Sequence, residues 1–197
     1  MKSKCANRQS DRSRSALKQA FAQLMDEKHF GEISVGEIAD RANIGRSTFY
    51  RHFNGKQDVL IALHEDIFER LFADFSAETG WLAKEPPQQL KDYLDDFYNT
   101  GGPNVSLATA QGLNMDYVMR SIIELLSRYV TQALQQNFTE TKTSIPLSTL
   151  ASSIAGTYSM VLMSWKKDKM DVAPTQMAEY LHRLIRALIT EASRETS

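Results

Sequence analysis

Apolar residues recur along this chain with the spacing of amphipathic helices. Residues 17–25 place apolar side chains at positions i, i+3, i+4, i+7 and i+8, which form one stripe on a helix of 3.6 residues per turn. Three longer segments, 59–75, 115–130 and 177–189, repeat this spacing. No segment shows the alternation of apolar and polar residues that is typical of strands. The pattern therefore predicts an all-α protein.

Proline, glycine and polar segments mark where the predicted helices end. Residues 86–87 are both proline, and they separate a helix that begins near Lys56 from the helix that follows. The Gly-Gly-Pro sequence at 101–103 and the polar segment 139–146 predict two further breaks. Pro174 occupies the expected first turn of the last helix, where its missing N–H is tolerated.

Composition places the chain among globular proteins. It has 197 residues, of which 42% are hydrophobic and 24% are charged, so it can bury a sizeable core. Its single cysteine, Cys5, cannot form an internal disulfide. No apolar run approaches the length of about 18 residues that a membrane span needs, and the polar N-terminus does not resemble a signal peptide. We therefore expect a cytoplasmic protein that does not insert into membranes.

The charge is distributed unevenly along the chain. Residues 1–56 hold 11 Lys and Arg against 6 Asp and Glu, a net charge of +5, while residues 57–197 carry a net charge of −6. A basic N-terminal region on an acidic body indicates that one end of the protein meets a polyanion. Chance clustering is the alternative that charge alone leaves open.

A helix-turn-helix is predicted over about residues 35–53. Ser34 and Glu37 have the spacing of a capping box, which predicts that a helix begins at residue 35. Asn43 can adopt the left-handed conformation that ends such a helix. A second short helix is expected from about Arg46. In a helix-turn-helix, this second helix enters the major groove of DNA.

The second helix of this motif presents polar residues without any acidic one: Arg46, Ser47, Thr48, Tyr50, Arg51 and His52. Phe49 and Phe53 lie one turn apart and are predicted to face the core. Arginine can pair with guanine through two hydrogen bonds, and serine, threonine, tyrosine and histidine can reach bases or phosphates. Lys56 is expected in the first turn of the next helix, where its charge and the free N–H groups favour a phosphate.

This segment resembles the signature of TetR-type (TetR/AcrR) transcriptional repressors. The resemblance is carried by Arg46-Ser-Thr-Phe-Tyr-Arg-His-Phe followed by Lys56, and it extends over about residues 12–65. It implies a three-helix DNA-binding domain over 1–55 and a larger C-terminal helical domain for ligand binding and dimerisation over 56–197. It also implies a homodimer that binds a palindromic operator in double-stranded DNA and is released by a small-molecule inducer.

The resemblance assigns DNA contacts residue by residue. The base-facing positions of the family fall on Arg46, Ser47, Tyr50 and Arg51. The phosphate-contacting positions fall on Ser34, Thr48, Tyr50, His52 and Lys56. Two alternatives stay open, namely that Tyr50 mainly packs and that His52 is an exposed group without a contact. Asn43 replaces the glycine that is usual in the turn, and asparagine tolerates a positive φ better than most residues.

The last two predicted helices resemble those of one TetR subgroup, in which they form a four-helix interface with their copies. Residues 158–170 carry this resemblance, together with Pro174 and the Met-Ala-Glu sequence at 177–179. The first of these helices has small side chains at 151, 152, 155, 156 and 159, which permit close approach. The alternative is that the apolar seam of the last helix belongs to the core of one subunit.

The resemblance further implies an inducer pocket among the C-terminal helices. Ligand sites are usually lined by apolar side chains with a few polar tips, so aromatic and methionine residues are the candidates. We predict a small apolar or amphipathic inducer. The predicted pocket residues are Tyr93, Phe97, Met119, Tyr158 and Met163. The alternative for each of them is plain core packing.

Patterns that would indicate catalysis are missing from the sequence. The four histidines are scattered, without metal-ligand spacing. The sequence contains no zinc-peptidase, dinucleotide-binding or phosphate-loop motif. We therefore predict a regulator with no enzymatic activity, no cofactor and no metal. The remaining alternative is a DNA-binding protein of the same fold that a protein partner, rather than a small ligand, controls.

Overall fold

The computed structural model describes residues 2–73, 75, 80–100, 115–138, 143–167 and 170–193. These residues include eight α-helices and one short 3-10 helix, Phe30–Glu32, which confirms the all-α prediction. The α-helices are α1 (Lys2–Glu27), α2 (Val35–Arg41), α3 (Arg46–His52), α4 (Lys56–Phe72), α5 (Gln88–Thr100), α6 (Met115–Gln135), α7 (Leu147–Lys167) and α8 (Pro174–Ala192).

The chain divides into two compact units, and α4 contributes residues to both of them. Among the described residues, the first unit contains those within 2–65 and 115–118, and the second contains those within 66–100 and 119–193. This division falls inside α4, later in the chain than the sequence-based boundary between residues 55 and 56. That boundary stays a prediction about the limit of the DNA-binding domain.

In the first unit, α1 packs against α2 and α3. The rings of Phe21 and Phe30 meet edge to face with their centroids 5.9 Å apart. Ala39 of α2 is fully buried, as expected of a small residue where two helices cross closely. Burial of each large apolar side chain stabilises the unit by about 1.5–3 kcal/mol. The buried side chains include Leu17, Phe21, Ile38, Phe49, Val59 and Leu60.

In the second unit, α8 packs against α5 and α7. Its buried face includes Leu181, Ile185 and Ile189, so most of the apolar seam predicted from the sequence is core of the single chain. Pro174 occupies the first turn of α8, as predicted. Ala173 is the N-cap of this helix, and its side chain forms no capping hydrogen bond.

The end of one helix differs from the sequence pattern, and two predicted breaks lie wholly or partly outside the described residues. Helix α4 ends at Phe72, although the apolar spacing continues to Phe75 and the next prolines stand at 86–87. The break predicted at 101–103, and residues 139–142 of the polar connector, lie outside the described residues.

Candidate nucleic-acid interface

The start of α2 is fixed by the capping box that the sequence predicts. The Ser34 hydroxyl accepts a hydrogen bond from the backbone N–H of Glu37 at 3.2 Å, and the Glu37 carboxylate accepts from the Ser34 backbone N–H at 2.8 Å and hydroxyl at 2.9 Å. The ammonium of Lys28 also binds this carboxylate. The hydrogen bond from Lys28, followed by those from Ser34, lowers the pKa of Glu37 to about 2. Ser34 is therefore an exposed residue that already caps α2.

Replacing Ser34 separates its role as a helix cap from its predicted phosphate contact. Ser34→Ala is expected to lower the free energy of unfolding by about 1 kcal/mol because an N–H of α2 loses its partner. Ser34→Asp keeps a good capping residue but brings a negative charge to the proposed interface. Because the Ser34 hydroxyl donates to the Glu37 carboxylate at 2.9 Å, the carboxylate of Ser34→Asp would repel Glu37, and we expect this variant to unfold at a lower urea concentration than wild type. Under conditions where urea unfolding shows it to be folded, we expect it to bind DNA more weakly in a fluorescence titration. Wild-type DNA affinity in Ser34→Asp would contradict the phosphate contact.

The turn between α2 and α3 has the backbone conformation predicted for it. Asn43 has φ of 52°, in the left-handed region that asparagine tolerates. The backbone N–H of Ile44 then donates to the carbonyl of Ala39 at 2.9 Å and closes the turn. Gly45 precedes α3 as its N-cap in an extended conformation. The predicted helix-turn-helix is confirmed in these details.

Helix α3 buries one face and exposes the other. Phe49 is fully buried, Phe53 is 4% exposed, and their ring centroids lie 5.9 Å apart. Tyr50 meets the edge of the Phe49 ring at 5.4 Å, yet 57% of it is exposed. Its phenol is therefore available to a partner even though its ring packs. Arg46, Ser47 and Arg51 are also exposed, and Thr48 is half-buried.

Arg46 lies across the start of α2. One guanidinium nitrogen comes within 2.7 Å of the position that a Cβ on Gly36 would occupy. Only a residue without a side chain leaves the guanidinium in this place. Gly36 is not among the predicted site residues. The one feature of the sequence that could have indicated it is a glycine in the first turn of a short helix.

His52 lines a groove that also includes the N-terminal half of α1. The groove has a volume of about 650 Å³ and is lined by Gln9, Ser10, Ser13, Asn43, Ile44, Gly45, Thr48, Arg51 and His52. The Nε2 atom of His52 is buried and has no hydrogen-bond partner in the part of the chain that the structure describes. Burial, and then the charges of Arg51 and Arg14, lower the pKa of His52. A neutral imidazole therefore stands beside a polar groove, to which α1 contributes side chains that the sequence analysis missed.

Lys56 does not present a free ammonium. Its Nζ donates to the backbone carbonyls of Phe30 at 2.7 Å, Gly31 at 3.2 Å and Ile33 at 2.6 Å. It also lies 4.7 Å from the centroid of the Phe30 ring. Burial lowers the pKa of Lys56. An ammonium has three donors, so the phosphate contact predicted for Lys56 requires the loss of at least one of these bonds.

The structure groups three of the five predicted pocket residues in the second unit. The rings of Tyr93 and Phe97 have centroids 6.2 Å apart. Although part of Tyr93 reaches the surface, burial raises its pKa, and burial followed by the neighbouring Tyr93 raises the pKa of Tyr158. Met119 and Met163 are half-buried, and no aromatic or polar contact between described residues ties them to this group.

The two tryptophans of the chain also belong to aromatic clusters of the second unit. The ring of Trp165 stacks on Phe97 at 6.1 Å and on Tyr98 at 5.4 Å. The ring of Trp81 stacks on Phe72 at 5.9 Å. Neither tryptophan is among the predicted site residues. Tryptophan is highly buried on average, so Trp81, which follows Gly80 near a predicted break, could have been expected to pack in the core.

Other classes of site are not found among the residues that the structure describes. No three His, Cys, Asp or Glu side chains there are arranged to hold a metal ion. Likewise, no helix in that portion of the chain has both the length and the apolar character to cross a bilayer.

Residues 18–63, which contain the helix-turn-helix, match a family described as "Bacterial regulatory proteins, tetR family". The HTH-type transcriptional regulator EthR of Mycolicibacterium smegmatis is 29% identical over 100 residues, which are 51% of this chain and 46% of EthR. The dhaKLM operon transcriptional activator DhaS of Lactococcus lactis is 35% identical over 65 residues, 33% of this chain and 35% of DhaS. The matched regions thus span less than half of either curated relative.

Solved structures extend the similarity of fold beyond the N-terminal region. A TetR transcriptional regulator from Rhodococcus sp. RHA1 superposes with a TM-score of 0.65 over 93% of this chain and 99% of that protein, at 19% identity. The AlkX repressor from Dietzia sp. superposes with a TM-score of 0.60 over 91% of this chain and 98% of that protein, at 15% identity. At these identities the comparison supports the fold alone.

Proposed function

We propose that this chain is a TetR-family DNA-binding transcriptional repressor and not an enzyme, because residues 18–63 match the family and contain the helix-turn-helix. In this proposal it works as a homodimer on a palindromic operator and leaves the DNA when a small-molecule inducer binds. Because its ligand is bacterial chromosomal DNA, its place of action is the cytoplasm.

The exposed face of α3 is the observation that supports DNA binding best. It combines Arg46, Ser47, Tyr50 and Arg51, and it carries no acidic residue. Buried Phe49 fixes the orientation of this face because its ring cannot leave the core without losing its contacts. In a dimer, two copies of α3 would enter successive major grooves about 34–36 Å apart on one side of the DNA.

The exposed apolar residues of α7 and α8 support dimerisation. Met160 is 62% exposed, Tyr180 44% and Leu184 49%. A Cβ placed on Gly156 would meet no atom within 4 Å, so this stretch of α7 is open to a close neighbour. We call Gly156, Met160, Tyr180 and Leu184 the dimer face. A second copy of this chain would remove these apolar side chains from water.

Helix α4 provides a continuous connection for regulation. Its first turn begins at Lys56 in the first unit, and it ends at Phe72 in the second. An inducer bound in the second unit would act by favouring a state in which the two α3 helices have the wrong separation. The free energy by which the inducer weakens DNA binding cannot exceed its preference for that state.

A fluorescence-anisotropy titration tests specific DNA binding. The protein is added to labelled DNA from upstream of its own gene and to a scrambled duplex at the same salt concentration. We expect a clear preference for the upstream DNA and saturation at two subunits per site. Equal, salt-sensitive binding to both duplexes would contradict specific recognition, since non-specific binding rests on phosphate contacts.

An in vitro transcription assay tests the direction of regulation. One curated relative, DhaS, is named as an activator, so repression does not follow from the family. We expect added protein to lower the amount of transcript from a promoter that overlaps the operator. An increase in transcript would show an activator and contradict the proposed repression.

Leu184→Glu is expected to weaken the dimer by at least about tenfold. The substitution places a charge where an apolar side chain would be buried between copies, and burying an unpaired charge is costly. Sedimentation equilibrium measures the dissociation constant directly. Ile145→Glu is the matched control because Ile145 is an exposed apolar residue outside the dimer face. Equal effects of both substitutions, or no effect of Leu184→Glu, would contradict this dimer face.

A further inference from the structure

The two tryptophans of the second unit differ in the hydrogen bonding of their indole N–H groups. The Nε1 of Trp165 donates to the carbonyl of Val172 at 3.1 Å. Trp81 is fully buried, and its Nε1 has no hydrogen-bond partner among the residues that the structure describes. A buried donor without a partner loses its hydrogen bond to water and gains none in return. This state is unfavourable, and a buried acceptor would relieve it.

The surroundings of Trp81 are aromatic. Its ring stacks on Phe72 with centroids 5.9 Å apart and meets Phe75 at 71° with centroids 4.7 Å apart. Phe72 in turn meets the edge of Tyr158, a predicted pocket residue, at 6.4 Å. Two successive ring contacts, Trp81 with Phe72 and Phe72 with Tyr158, therefore link Trp81 to the group of predicted pocket residues. Phe72 connects the unpaired donor of Trp81 to Tyr158, one of the residues predicted to line the inducer pocket.

We propose that the indole N–H of Trp81 is the group that recognises the inducer, and that the inducer is an uncharged, apolar molecule with a carbonyl oxygen. This inference rests on the proposed function, since it names the ligand class of the same second unit.

The chemistry of the residues around Trp81 sets this ligand class. An indole N–H only donates, so the matching ligand atom must be an acceptor. Phe72 and Phe75 offer no charge to balance an ion, and the transfer of a carboxylate into such surroundings is costly. A carbonyl oxygen accepts a strong hydrogen bond without carrying a net charge. The stacked rings of Trp81 and Phe72 favour an aromatic or flat body beside the carbonyl.

A matched pair of probes tests this assignment. We use 2-acetonaphthone, which has a carbonyl, and naphthalene, which does not. Proton–nitrogen NMR spectra of the protein labelled with ¹⁵N contain two indole N–H signals, which Trp81→Phe and Trp165→Phe assign. We expect 2-acetonaphthone to shift the Trp81 signal downfield and to leave the Trp165 signal in place. We also expect it to bind about tenfold more tightly than naphthalene.

Two variants show whether the preference for the ketone over naphthalene depends on Trp81. Trp165→Phe is expected to retain the preference for the ketone, and Trp81→Phe is expected to reduce it to less than about twofold. If Trp81→Phe does not fold, the indole shift in wild type and in Trp165→Phe decides the matter. A ketone that binds without moving the Trp81 signal, or no binding of either probe, would overturn the assignment.

A parallel DNA-release assay separates this inference from the proposed function. Release of the operator by 2-acetonaphthone without a shift of the Trp81 signal would overturn the role of Trp81 and leave induction standing. A shift of the Trp81 signal without release would support the donor and count against induction by occupancy of this site.

Discussion

Arg46→Ala is expected to remove discrimination at one base pair of each half-site and to weaken operator binding by about 1–3 kcal/mol per half-site. Arg46 begins α3 and is exposed. It forms no ion pair with any described residue, so its guanidinium can turn from Gly36 toward a base at little cost. Arginine donates two parallel hydrogen bonds to the N7 and O6 atoms of guanine, and alanine donates none.

The measurement is an anisotropy titration on the operator and on duplexes in which each base pair is replaced in turn. The preference for the operator base should disappear at one position of each half-site and persist at all others. Arg70→Ala is the matched control, because Arg70 is an exposed arginine of α4 in the second unit. Equal loss of affinity for operator and random DNA would instead identify Arg46 as a phosphate contact.

Gly36→Ala tests the position of the Arg46 side chain without replacing Arg46. The added methyl group would occupy the place of the Arg46 guanidinium, which is the flexible end of its side chain and can move. Alanine also favours a helix over glycine. Altered operator affinity in a variant at least as stable as wild type would therefore report on the position of Arg46 alone.

The helix-turn-helix could be predicted from the sequence because its determinants are local. The capping box joins Ser34 to Glu37, only three residues later, and the φ of Asn43 depends on its own side chain. Phe49 and Phe53 face the core because they are one helical turn apart. Each of these features requires knowledge of fewer than ten residues, and the structure reproduces all of them.

The predictions that depended on distant contacts were less complete. Sequence spacing placed Lys56 in the first turn of its helix, but the carbonyls that it binds lie 23 to 26 residues earlier. The unpaired indole of Trp81 likewise follows from its packing against α4 and could not be read from the chain. In the last helix, periodicity identified an apolar seam, but it could not separate the positions that a single subunit buries, such as Ile185, from those that it exposes, such as Leu184.

Lys56→Arg is expected to lower the free energy of unfolding by about 2–3 kcal/mol even though it keeps the positive charge. Three carbonyls converge on the compact ammonium of Lys56 at distances of 2.6 to 3.2 Å. A planar guanidinium is larger and holds its donors in a fixed fork, so it cannot occupy the same position. The carbonyls of Phe30 and Ile33 would then lose a charged partner, and the turn that leads into Ser34 would loosen. Urea unfolding measures the effect.

The same variant distinguishes this structural role from a phosphate contact. If Lys56 mainly bound phosphate, Lys56→Arg would keep wild-type stability and DNA affinity, and Lys56→Met would reduce the salt dependence of binding by about one ion. The carbonyl contacts instead predict that both variants lose stability, and that the salt dependence, measured where they remain folded, stays that of wild type. Lys91→Arg is the control, because Lys91 lies on α5 in the second unit. Since an ammonium has three donors and all three are bound, DNA can gain Lys56 only at the expense of the turn that positions Ser34.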